Sequence, residues 1–135
     1  MTIKSKSLLK SAFILGAILD IAIGISWFFI ASGVEMPNIL CGYTGIGQAY
    51  QFAMYVAGMF LVGWGVILGW CSIKPVERRG IILITAVLLF LSILGELVFF
   101  MNILGGTGFI FGIFKRSFLV ILFTYSYVKS YRNNI

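Results

Sequence analysis

Charge placed inside apolar segments constrains this chain more than any other feature of its sequence. Residues 8–31, 49–70, 81–101 and 109–128 form apolar runs, and ionisable side chains interrupt the first with Asp20, the third with Glu96 and the fourth with Lys115 and Arg116. Each run is close to the ~20 residues that a helix needs to cover ~30 Å of hydrocarbon. Lipid offers no hydrogen bonds to an exposed backbone, so such a run satisfies its own N–H and C=O groups as a helix. The expected fold is therefore all-α: an integral membrane four-helix up-down bundle forming a single domain over residues 1–135. The composition agrees, because 61% of the residues are hydrophobic, whereas soluble domains have ~45–50%.

The net charge of +6 is distributed as a topology signal. Lys4 and Lys6 precede the first run and Lys10 lies at its start, Lys74, Arg78 and Arg79 separate the second from the third, and Lys129 and Arg132 follow the fourth. The connections between the first and second runs, and between the third and fourth, contain neither Lys nor Arg. Short cytoplasmic loops collect these residues, which places both termini and the middle loop in the cytoplasm of an inner or plasma membrane. No basic face or stripe of the kind that holds nucleic acid is present. The basic start followed by an apolar run resembles a secretory signal, but the run exceeds the ~7–15 residues of an h-region and contains Asp20, so an uncleaved first helix is expected.

Histidine is absent and the cysteines are Cys41 and Cys71, so no usual zinc or thiol-redox composition is available. No metal and no cofactor are expected. By the topology above, Cys41 lies outside and Cys71 at the cytoplasmic end, which separates them.

Within a membrane helix, small and polar residues mark the side that meets protein. Ala12, Gly16, Asp20 and Gly24 repeat every four residues in the first run, Gly58, Gly65 and Gly69 stripe the second, and Gly108, Gly112 and Arg116 step by four in the fourth. Thr85, Ser92 and Glu96 share one side of the third. The connection from Ser32 to Gly47 carries Pro37 and Asn38 as a turn signal and suits an ordered cap on the outer surface.

At ~1.5 Å rise per residue, Glu96 lies roughly 8–10 Å below the outer surface, Lys115 and Arg116 roughly 10–14 Å and Asp20 roughly 16–18 Å. An isolated charge near the centre of a span costs ~2.5–3.5 kcal/mol even on lenient insertion scales. Arg116 is accordingly expected to reach both Asp20 and Glu96, with Lys115 turned outward along the helix. Gln48, Gln51 and Tyr55, with Trp64 deeper, mark a polar entrance, although two interfacial glutamines with their amides in water also account for Gln48 and Gln51.

Two readings of the charges stand side by side. One is a buried ion network that fixes helix register; the other is a charged pocket in the outer half that binds or helps translocate a small solute, amphiphile or ion. A further alternative starts the fourth span after Arg116 and leaves residues 103–114 as a re-entrant stretch. The expected partners are the lipid bilayer and a small amphiphile or ion, with a second copy or partner membrane helices if the chain is a structural subunit or assembly factor. A lipid-modifying enzyme is a third class, in which the acids donate protons beside Arg116.

Overall fold

The computed structural model describes residues 3–132, so the outermost residues of the expected 1–135 unit lie outside it. Four α-helices follow one another: α1 (Ile3–Ala31), α2 (Gln48–Cys71), α3 (Arg79–Phe99) and α4 (Gly106–Arg132). No strand forms among the described residues. All four helices are long and apolar enough to cross a membrane.

The helices begin and end somewhat differently from the apolar runs. α1 starts at Ile3 and α4 continues to Arg132, because lysine, serine and leucine sustain a helix beyond the hydrocarbon boundary at little intrinsic cost. α3 stops at Phe99, where the Phe100 amide donates to the Glu96 carbonyl at 3.0 Å and the Leu104 amide donates to the Phe100 carbonyl at 2.9 Å, turning the chain. Gly106, with φ at 81°, redirects it into α4 through a conformation that only glycine adopts cheaply. α4 is continuous through Arg116, which overturns the re-entrant alternative for residues 103–114.

Helices α1 and α2 share the most extensive contact, α3 and α4 the next, and α1 joins the two pairs through α4; α2 barely touches α3. Glycine explains the closeness of the first pair. A Cβ added at Gly65 would stand 3.0 Å from the Ala17 carbonyl oxygen, one at Gly58 would stand 3.1 Å from the Gly24 carbonyl oxygen, and one at Gly24 would lie 2.6 Å from Val62 Cγ2. In lipid, where apolar burial gives no preference for protein over tails, such close backbone approach supplies the dispersion that holds helices together.

Leu9, Phe13, Leu68, Cys71, Ile82 and Phe123 are buried in one cluster, all from the part of each helix nearest the chain ends and the α2–α3 connection. Toward the same end the Arg78 guanidinium sits 3.4 Å over the Trp70 ring. Midway along the bundle, Trp64 Nε1 donates to Thr85 Oγ1 at 3.2 Å, a link between α2 and α3, which touch little elsewhere.

At the opposite end the connection between α1 and α2 fills the gap between the helix pairs. Asn38 organises it. Its side-chain oxygen accepts from Trp27 Nε1 at 3.2 Å and from the Leu40 amide at 2.9 Å, while its backbone carbonyl accepts from the Gly42 amide at 2.7 Å. The residue is buried, and these bonds meet the requirement that buried polar atoms be paired. The loop then lies directly on α4. A Cβ at Gly42 would stand 2.9 Å from Gly108 Cα, and the Leu40 carbonyl occupies the position that a side chain at Gly112 would need. The glycine stripe of α4 thus accommodates a loop, whereas that of α2 accommodates a helix.

Candidate functional site

Arg116 is the charged side chain that the fold buries most completely, with 2% of its surface exposed. Its guanidinium grips Glu96 in a two-pronged ion pair: Nη1 donates to Oε1 at 2.7 Å and Nη2 to Oε2 at 2.6 Å. Nη1 also donates to Ser92 Oγ at 3.3 Å, Nε to the Gly112 carbonyl at 3.2 Å and Nη2 to the Leu40 carbonyl at 3.4 Å. A guanidinium has five N–H donors, and these five acceptors use all of them. The parallel fork-to-fork geometry belongs to the strongest class of side-chain hydrogen bond. Arg116 consequently ties α3, α4 and the loop together at a single point.

The sequence placed Ser92 and Glu96 on one side of α3, and that side meets Arg116. It expected Asp20 there as well. Among the described residues Asp20 forms no ion pair, and Arg116 pairs with Glu96 alone. Helical phase gives the reason: α1 turns Leu15, Leu19 and Ile23 toward Arg116, and Asp20 follows Leu19 by roughly 100° of rotation. Its carboxyl shares a side with Gly16 and Gly24, which meet Leu68, Phe123 and Val62. Loop residues Ile39 and Leu40 further occupy the space beside Arg116.

These environments separate the two acids experimentally. Glu96→Gln removes the charge that Arg116 neutralises, whereas Asp20→Asn replaces a half-buried carboxylate that has no counter-ion with a neutral group of the same shape. Thermal unfolding in detergent is expected to show little or no loss for Asp20→Asn, within about 1 kcal/mol, against a clear loss for Glu96→Gln. Equal losses would place Asp20 in the ion network after all.

Lys115 projects from the exposed side of α4, where Nζ donates to the Ile39 carbonyl at 3.1 Å. Between α1 and α4, under the loop, lies a cleft of about 420 Å³, within the ~300–1,000 Å³ common for small-molecule sites. Leu15, Leu19 and Ile23 form one wall, Phe118 and Leu119 the other, and Ile39 and Leu40 the roof, with Lys115 and Arg116 at the roof end. The sequence missed the loop's part in this site; the Pro37–Asn38 turn signal was the trace of it.

The expected polar entrance lies elsewhere. Gln51 borders a small separate pocket of about 50 Å³ with Glu35, Gly47 and Tyr50. Gln48 is exposed, Tyr55 packs its ring against Phe28 with centroids 6.1 Å apart, and Trp64 is committed to Thr85. Among the described residues no group of three or more Cys, Asp or Glu gathers as a metal cage would require. Cys41 and Cys71 are both free thiols. Burial pushes the Cys41 thiol above its ordinary range, an effect that the Tyr43 backbone opposes.

No known protein family, curated protein or solved structure matches the chain.

Proposed function

We propose that the chain is a multi-pass membrane protein, an up-down bundle with both termini in the cytoplasm, that binds or helps translocate a small amphiphile in the cleft between α1 and α4. The order of the contacts supports the up-down arrangement: Ala17 meets Gly65 and Gly24 meets Gly58, so positions rise along α1 as they fall along α2. The observation that carries the binding reading is the cleft itself, an apolar trough of about 420 Å³ with charge at one end. A solute that matches it has an apolar body and a polar head.

A long-chain alkyl alcohol bearing a diazirine, photolysed in the presence of the purified protein, tests this reading. Adducts are expected on Leu15, Leu19 and Phe118, and Leu19→Trp, which fills the trough, is expected to remove most of them. Adducts spread evenly over outward-facing residues such as Phe60 and Phe90 would mean that the cleft holds nothing more firmly than the surrounding lipid does.

A second reading, a structural subunit or assembly factor, draws support from Arg116. A guanidinium with every donor engaged by its own chain behaves as a register-fixing link. In that reading the chain depends on partner helices, and a stable monomer in native detergent measurements would count against it.

A further inference from the structure

We infer that the cleft selects a single-chain amphiphile carrying one negative charge, a long-chain carboxylate, whose head is held by the Lys115 ammonium under the loop. The inference rests on the binding reading above and names its ligand. Its first ground is the difference between the two cations at the roof. Arg116 has both forks on Glu96 and its remaining donors on Ser92, Gly112 and Leu40. Nothing is left for a ligand. Lys115 gives one bond, to the Ile39 carbonyl, and an ammonium carries three donors. The other two have no acceptor among the described residues.

The second ground is the charge balance. Lys115 and Arg116 bring two positive charges and Glu96 one negative, with Asp20 paired to none of them. The cluster therefore carries one excess positive charge, in a setting where lipid and protein screen it far less than water does. A carboxylate cancels it. A dianionic phosphate monoester would leave one negative charge over, and a neutral head would leave the ammonium uncompensated.

Shape supplies the third ground. Ile39 and Leu40 close the cleft above Lys115, while Leu15, Leu19, Phe118 and Leu119 line it below the cation. A ligand arranged with its head at Lys115 and its chain along these side chains places each part in matching surroundings. With the roof closed and Leu15 and Phe118 exposed at the side, the ligand enters laterally from the bilayer.

Competition binding by native mass spectrometry in non-ionic detergent, in alkaline buffer where the carboxyl is ionised, distinguishes the possibilities. The probes are palmitate, hexadecanol, hexadecyl phosphate and hexadecyltrimethylammonium. Palmitate is expected to bind tighter than hexadecanol by about tenfold or more, the scale of one charge-assisted contact. Lys115→Ala is expected to abolish the preference for palmitate over hexadecanol, while Lys115→Arg retains it. If palmitate and hexadecanol bind equally, or if Lys115→Ala leaves the preference intact, selection by Lys115 is refuted and the amphiphile cleft survives. Tighter binding of the phosphate or of the cationic probe overturns the charge argument. Should none of the probes bind, the cleft reading falls together with this one.

Discussion

Arg116→Ala is expected to destabilise the folded protein by about 3–5 kcal/mol, the usual cost of breaking a buried ion pair from one side. The substitution leaves the Glu96 carboxylate without its counter-ion and also strips the hydrogen-bond donors from Ser92 and the Leu40 carbonyl. Because the Glu96 side chain keeps 21% of its surface exposed, the loss should fall toward the lower end of that range. Arg116→Lys preserves the charge but not the planar fork, so an intermediate loss is expected. The informative variant replaces both partners, Arg116→Met with Glu96→Leu. Removing two charges that cancel is often close to neutral, and denaturant titration in mixed micelles should recover much of the single-variant loss. A double variant as unstable as Arg116→Ala would show that the loop and Ser92 contacts, not charge isolation, dominate.

Gly112→Ala should have an effect of similar size for an entirely steric reason. The new methyl would coincide with the Leu40 carbonyl and lie 2.7 Å from its carbon. That obstacle is backbone, which cannot rotate away as a side chain does. The loop must rise, which breaks the Arg116 contact to Leu40 and the Lys115 contact to Ile39. A loss of about 3 kcal/mol is expected, the upper part of the range for overpacking. Gly63→Ala is the control, because a Cβ there meets nothing within 4 Å; it should be neutral or slightly stabilising.

The same variant carries a pH signature through Cys41. Burial raises the folded-state thiol pKa, so less of the reactive thiolate exists at any given pH than in a solvated cysteine. Lifting the loop returns the thiol toward its ordinary range. Maleimide labelling of Cys41 should therefore be faster in Gly112→Ala than in the parent protein near neutral pH, and the two rates should converge as alkali ionises both. Identical rates throughout would mean that the loop stays seated despite the added methyl.

Most of the helical layout was legible, because a long apolar run in lipid has few alternatives to a helix and the interruptions between runs contain Pro37, Pro75 and several glycines. The partnership of Glu96 with Arg116 was legible for a related reason: an isolated charge is costly, and Ser92 and Glu96 fall on one side of α3. Asp20 shows where such reasoning ends. Four-residue spacing identified the side of α1 that packs against protein, but which neighbour that side meets depends on the rotation of α1, and a difference of one residue separates Leu19 in the cleft from Asp20 outside the ion pair. The loop was less legible still. Its contacts with Gly108 and Gly112 join residues far apart in sequence, and glycines every four residues read equally well as a seat for a helix.

Arg116 comes late in the chain, and this orders how the molecule is made. During synthesis α1 and α2 emerge first and find each other through Gly24, Gly58 and Gly65, while Leu40 and later Glu96 leave the ribosome before the residue that will hold them. Domains generally acquire structure from the amino-terminal side as they are synthesised. The loop between α1 and α2 thus stays unseated until α4 follows, and a nascent chain shortened before α4 would expose to quality-control proteases a loop that the folded protein keeps fastened.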